Sequence, residues 1–422
     1  VTLRVKAVLL YVAIASVSVE AADPREILEY KRARNVEILE EVWARVESDF
    51  IDPELNGIDK ERTLRGYILA APKKKTRAEF RALVNRLLGE LETSHTTYFT
   101  PDQPEYYQLI DIFSDTSLED AMELHFPDGD LSYPGIGVYT REIEEKTFIT
   151  GVIEGAPADR AGLMAGDEIV AVEGEPYRGV DSFAGTVESQ IAVEVRRAPG
   201  DQPLTIRVVP AEIRPRAMFE RSVAESAAVH ERNGFAIAYV RMWSYAGQRY
   251  HELLQEQLRS EPLRDADALV LDIRGGWGGA NSDYLNLFNP NVPTMAVRFR
   301  DGTGHVYDPQ WRKPVVLLVD GGSRSGKEIL AHGFKRYGIG TVVGTTTAGA
   351  VVGGRPYLLS DGGILYLAVM DVLVDGERLE GVGVAPHVEV TFDVRYAAGH
   401  DPQLEKALDV AAGRARASKE NP

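Results

Sequence analysis

Three regimes of hydrophobic patterning follow one another along the chain. From residue 24 to about 125, apolar side chains recur at three- and four-residue spacing, as one face of an α-helix requires. Val36, Leu39, Trp43 and Val46 form one such stripe, and Phe80, Leu83, Val84 and Leu87 another in "TRAEFRALVNRLLGELETSH". Thr76 stands where an N-cap belongs. The acidic, aromatic stretch "DQPEYYQLIDIFSDTSLEDAMELHFPDGD" is expected to be a loop-rich connection. From Pro134 to about Arg214, short β-type runs alternate with Gly and Pro breaks. Beyond Arg216, apolar runs such as "ALVLDI" (Ala268 to Ile273) alternate with helical stretches, the pattern of an α/β sheet with helices on its faces. The charged end, "GRARASKENP", is expected to fray. The pattern therefore predicts a multidomain α/β chain: a helical N-terminal domain over 24–125, a β-rich domain over 134–214, an α/β domain over 217–395 and a C-terminal helix or tail over 396–422.

Composition narrows the function classes. A chain of 422 residues exceeds what one hydrophobic core usually supports. Its net charge of -17 argues against nucleic acid or an anionic membrane as the main partner. It contains no cysteine, so disulfides and thiolate metal sites do not form within it. At the amino end, Arg4 and Lys6 precede an apolar run from Ala7 to about Val19, followed by Glu20-Ala21-Ala22. This is the layout of a signal peptide over residues 1–22, cleaved after Ala21 or Ala22. The run is short for a membrane span of about 20 residues. An exported, periplasmic or extracellular protein is expected, with no stable membrane span after cleavage.

The octet "GGSRSGKE" (321–328) poses a choice of chemistry. Gly321 to Lys327 fits the first seven positions of a phosphate-cradling loop, but Glu328 stands where a Mg²⁺-binding Ser or Thr is needed. The same octet places Ser325 at a strand-to-helix turn, where helix N–H groups favour developing negative charge. Ser323 is a structural rival. A nucleophilic serine needs a base, a group orienting that base, and oxyanion donors. His95, in "LETSHTTYF", is a candidate base, and Glu380, in "LEGVGVAP", a candidate support.

Two resemblances bear on the choice. "APADRAGLMAGDEIVAVEG" resembles a PDZ domain, and "GIGV" (Gly135, Ile136, Gly137, Val138) sits where that family has its carboxylate-binding loop. The resemblance implies capture of polypeptides, through free C-termini, by strand addition at a sheet edge. "LVLDIRGGWGG", "LVDGGSRSGKEILAHGFK", "VGTTTAGAV" and "LEGVGVAPHVEV", preceded by "ELETSHT", resemble the carboxy-terminal processing (tail-specific) peptidases, over about residues 30 to 395. That family includes the core domain of tricorn protease. The resemblance implies an α/β (crotonase-like) catalytic domain that needs no metal or cofactor.

The family has two catalytic styles. Its tail-specific branch uses a Ser–Lys dyad, and the lysine position falls here on Ala350, which cannot accept a proton. The tricorn-like branch pairs serine with a histidine in "T-S-H" and a glutamate before "G-V-x-P". The resemblance to it implies Ser325 as nucleophile, His95 as base and then acid, and Ser94 with Glu380 as hydrogen-bonded support, Glu380 acting through a hydroxyl. It also implies Gly278 or Gly279 together with Gly326 as oxyanion donors. Lys327 replaces the serine that usually precedes the glutamate and is an alternative base if desolvated. His387 replaces an aspartate common after "G-V-x-P". The leading expectation is an exported serine endopeptidase. The alternatives are a catalytically inactive PDZ-containing scaffold and a hydrophobic-ligand carrier on the same fold.

Overall fold

The computed structural model describes residues 24–420, so the expected signal peptide lies outside the described residues. Its central element is a six-stranded sheet in the order Val388–Glu389, Thr341–Gly344, Val315–Val319, Ala268–Asp272, Phe235–Arg241, Ala228–Arg232. All neighbours run parallel except the last pair. Leu269, Leu271, Leu317 and Val319 face one core, shared with Leu254, Leu330 and Phe334 of the helices Gln248–Arg259 and Gly326–Arg336. Ala268, Val270, Val316 and Leu318 face the other. Cover on both faces explains why these strands are continuously apolar rather than alternating.

The second face corrects one expectation. The helix Pro402–Glu420 covers it with Ala407, Leu408, Ala411, Ala412 and Ala415, so the segment expected to fray continues a docked helix as far as Glu420, although within it only Ala415 is buried. Small alanines let the helix lie close to the sheet, and that burial outweighs the charged composition of its outer face.

A five-stranded antiparallel sheet, in the order Val138–Ile143, Lys146–Val152, Glu168–Val172, Ile191–Arg196, Leu204–Val208, forms the β-rich unit. The helix Pro157–Ala161 closes its core and ends at Gly162, whose φ of 80° makes the left-handed cap.

The helices Pro24–Asp49, Lys60–Ala70 and Arg77–Gly89 pack around Leu39, Val42, Val84 and Leu87. Thr76 caps the third in a capping box with Glu79. This core is not self-contained. Leu365, Leu367 and Ala368, from the hairpin Gly353–Leu358/Ile364–Met370 far down the chain, complete it together with Val352 just before that hairpin. The short strand Thr97–Phe99 pairs with that hairpin, setting Thr97 opposite Tyr366. A second expectation is corrected here. The stretch read as a loop-rich connection contains two helices, Pro104–Phe113 and Glu119–His125, the first burying Tyr106, Leu109 and Ile110. Its apolar positions lie three and four residues apart, but interspersed tyrosines and acids obscure the stripe. Among the described residues no helix is long and apolar enough to cross a membrane.

Candidate active site

Ser325 follows the strand Val315–Val319 at the end of a tight loop and stands directly before the helix Gly326–Arg336. Its φ of 56° and ψ of −127° are costly for a non-glycine residue, the sort of strain that persists only where surroundings over-determine it. They do so here. Ser325 N–H donates to Ala350 O at 2.9 Å and lies 3.2 Å from Glu328 Oε2. The fully buried Glu328 also accepts from Thr347 Oγ1 at 2.5 Å and from the N–H groups of Gly349 and Ala350, each at 2.7 Å. The glutamate that defeats a phosphate loop thus ties the loop 347–350 to the serine turn.

His95 reaches the same place from the helical unit. Asn85 holds the backbone of Tyr98 in both directions, at 2.9 and 2.7 Å, and Tyr98 Oη donates to Asp361 at 2.5 Å. These bonds fix the segment after the third helix against the hairpin. Ser94 Oγ donates to Glu380 Oε2 at 2.9 Å and lies 3.0 Å from His95 Nδ1. A carboxylate only accepts, so it takes the one hydroxyl proton, and Ser94 Oγ accepts from His95 Nδ1–H. That leaves Nε2 unprotonated. Glu380 is itself fixed by Ser94 N–H at 2.8 Å and Val351 N–H at 2.7 Å. Burial, aided by the charge of Arg324, pulls the His95 pKa down to about 4, so the ring is neutral at pH 7.

A cleft of about 490 Å³ brings these groups together. Ser94, His95, Gly278, Gly279, Ser325 and Ala350 line it with apolar walls that include Phe113, Trp277 and Tyr366. No hydrogen bond joins Ser325 Oγ to His95 in this structure. The N–H groups of Gly278 and Gly279 have no protein acceptor among the described residues, nor has that of Gly326 at the first position of the helix. Close approach demands glycine at all three of these positions, Gly279 lying against the backbone of Ala246. A Cβ on Gly278 would lie 2.7 Å from Ser325 Cβ, and one on Gly326 2.3 Å from Ala280 N.

Lys327 is placed elsewhere. It is fully buried and does not line the cleft; its Nζ donates to Gly275 O at 2.7 Å and Trp243 O at 3.1 Å. Burial lowers its pKa to about 7. The lysine thus braces the loop that carries Gly278, instead of facing Ser325. Ser323, also fully buried, donates to Ile273 O at 3.0 Å. His387 Nδ1 accepts from Val342 N–H at 3.0 Å, a structural bond between strands.

In the β-rich unit, Gly135 pairs with Ala211, Ile136 is buried, Gly137 has φ of 75°, and Val138 begins the edge strand. The adjacent groove, lined by Pro104, Tyr133, Tyr177, Val180 and Phe183, has room for only about 10 Å³. That is about one water. Asp102 O accepts from Val180 N–H at 3.1 Å, so the helical unit abuts this groove. Gln108 Oε1 accepts from Tyr139 of the edge strand at 3.2 Å and from Trp277 Nε1 at 2.7 Å. Sequence reading passed over Gln108, and it also passed over Arg324, which lines the cleft beside Ser325. An arginine between two serines carries no motif, and only the folded cleft isolates it.

Residues 236–390 match the model of peptidase family S41, and residues 148–197 that of a PDZ domain. The carboxy-terminal processing protease CtpB of Bacillus subtilis is 26% identical over 296 residues, covering 67% of this chain and 60% of that protein. Tricorn protease homolog 1 of Streptomyces coelicolor is 28% identical over 371 residues, covering 85% of this chain and 33% of that one. The solved structure of the tricorn protease shares the fold, with a TM-score of 0.54 at 20% identity over 91% of this chain and 37% of the other. The strands Ala268–Asp272, Val315–Val319 and Thr341–Gly344, with the turn that carries Ser325, lie within the first matched segment, and the five-stranded unit overlaps the second: residues 236–390 of the chain are similar to peptidase family S41 and residues 148–197 to a PDZ domain.

Proposed function

We propose that this chain is an exported serine endopeptidase that hydrolyses polypeptides by acyl-enzyme chemistry at Ser325. The observation that carries the proposal is the hydrogen-bonded series Glu380–Ser94–His95, which ends in an unprotonated Nε2 on the cleft that Ser325 lines. In the first step, Ser325 Oγ attacks the scissile carbonyl while its proton passes to His95 Nε2. The new imidazolium is stabilised through Ser94 by Glu380. Negative charge on the carbonyl oxygen is met by the N–H of Gly326 and that of Gly278 or Gly279. Collapse breaks the C–N bond, and His95 returns the proton to the departing amine. Water then attacks the acyl-enzyme by the same route, releasing the acid and restoring Ser325. The Ser325–His95 hydrogen bond must tighten when substrate enters, as is common for apo sites.

Polypeptides are captured partly by the PDZ domain, with Gly135 to Val138 holding a free C-terminus. The groove there must first widen. The tricorn-like pairing is favoured over a Ser–Lys dyad because Ala350 occupies the lysine position and Lys327 is committed to two carbonyls. Hydrolysis of an unfolded protein by the full chain and by Ser325→Ala tests the proposal. The expected loss is roughly ten-thousandfold, and wild-type turnover by the variant would refute it. The absence of a base on Ser325 Oγ in this structure favours a second reading, an inactive peptide-binding scaffold. Under that reading the wild-type chain hydrolyses nothing.

A further inference from the structure

One charge in the cleft has no part in acyl transfer. Arg324 is exposed, precedes the nucleophile, and lines the same cleft as Ser325 and His95. Its guanidinium makes no ion pair or hydrogen bond with any described residue. With His95 neutral, Arg324 is the one formal charge at neutral pH among the described residues lining the cleft. The walls around it, Phe99, Ile112, Phe113, Trp277, Val352 and Tyr366, are mostly hydrocarbon. Apolar walls direct part of the field of an unpaired cation into the cavity, while water on its exposed side damps the rest. That field is felt nearby: it adds to burial in lowering the His95 pKa, and at Tyr366, where burial raises the pKa, it acts in the opposite direction. Glu105, on the helix Pro104–Phe113, also feels it, yet burial holds that carboxyl up, and the two form no ion pair. In a chain with a net charge of -17, an arginine left without a carboxylate partner in a reactive cleft is an open valence.

We infer that Arg324 is a specificity residue that recruits a substrate carboxylate beside the scissile bond. The inference rests on the reading of the cleft as a peptidase site. A guanidinium takes a carboxylate through two parallel N–H···O bonds, which fix orientation as well as supplying attraction. A polypeptide offers that group from an Asp or Glu side chain near the cleaved bond, or from its own C-terminus when the bond lies close to the end. Either source seats the chain with its carbonyl beside Ser325, and the apolar walls take the neighbouring side chains.

The test uses quenched fluorescent peptides of one sequence, cleaved by the full chain and by Arg324→Gln. One arm compares Glu with Gln at each position flanking the cleaved bond, and the other compares a free C-terminus with its amide. The quantity read is the ratio of kcat/KM between charged and neutral partners. The wild type is expected to favour the carboxylate by about tenfold or more in at least one arm. Arg324→Gln brings that ratio to about one. Arg324→Lys, which keeps the charge but loses the fork, retains part of the preference, and added salt shrinks it. The arm that shows the preference names the source of the carboxylate. A wild-type ratio near one in both arms, or an undiminished ratio in Arg324→Gln, overturns the inference. If Ser325 is acylated by a fluorophosphonate while the ratio stays at one, only the role of Arg324 falls. If no peptide is cleaved and Ser325 is not labelled, the peptidase reading falls and takes this inference with it.

Discussion

Ser325 and His95 meet at one cleft but are held in different ways. Ser325 stands on a strand, a tight loop and a helix that are consecutive in the chain, and Glu328, three residues on, reaches back to its N–H. His95 is held by partners far away in sequence: through Ser94 it depends on Glu380, 286 positions on, and its segment pairs with the hairpin 353–370. The proposed nucleophile is therefore a local construction, whereas the proposed base is placed only once a shared core of Val84, Leu87, Leu365 and Leu367 has formed. A local motif can survive loose packing around it. If His95 is the base, its long-range placement restricts activity to the assembled fold.

Cutting the long-range side of this comparison should have the largest effect among the supporting residues. Ser94→Ala and Glu380→Gln are each expected to lower kcat/KM by about a hundredfold, since each breaks the series that fixes the His95 tautomer. The double variant should cost little more than the worse single one, because the two act as a unit. Additive losses would mean that Glu380 supports Val351 and the loop rather than His95.

The local side is probed through Lys327. Lys327→Met leaves Gly275 O without its ammonium donor and frees the loop carrying Gly278. An expected loss of about tenfold should appear in kcat with KM nearly unchanged, because the proposed oxyanion donors would act in the transition state. An equal rise in KM would assign Lys327 to substrate binding instead.

The smallest expected effect is a displacement, not a loss. Burial holds the His95 pKa at about 4, below the ordinary 6.5, so the base stays unprotonated through mildly acid pH. The acid limb of kcat/KM should lie well below 6.5. The same depression means that the unfolded chain takes up the proton first, so stability should decline as pH falls from about 6.5 toward 4. Arg324→Gln removes the cation that helps depress this pKa and should move the limb upward. A limb at the ordinary histidine value would place His95 in water, outside the cleft.

What could be read from the sequence follows the same division. The apolar runs "ALVLDI" and "KPVVLLVD", the turn at Ser325 and the role of Glu328 against a phosphate loop were legible because each is settled within a few residues. His95 and Glu380 were separate candidates in the sequence, but only family resemblance added Ser94 and joined the three, since no periodicity brings residues 95 and 380 together. The helix Pro104–Phe113 was missed because its tyrosines bury hydroxyl-bearing rings, which a simple apolar count treats as polar. The docking of Pro402–Glu420 was missed because its buried face is mostly alanine, a weak hydrophobic signal beside seven charged residues. Arg324 carries meaning only through the absence of partners in the folded cleft, which no sequence displays.

The central claim is that a locally built serine is activated by a histidine held at long range. Labelling of the full chain with a fluorophosphonate, with the modified residue mapped by mass spectrometry, tests it most directly. The account predicts a single adduct on Ser325 in the wild type, absent in Ser325→Ala and slowed by at least about a hundredfold in His95→Gln. Labelling of Ser325 at an unchanged rate in His95→Gln would contradict it.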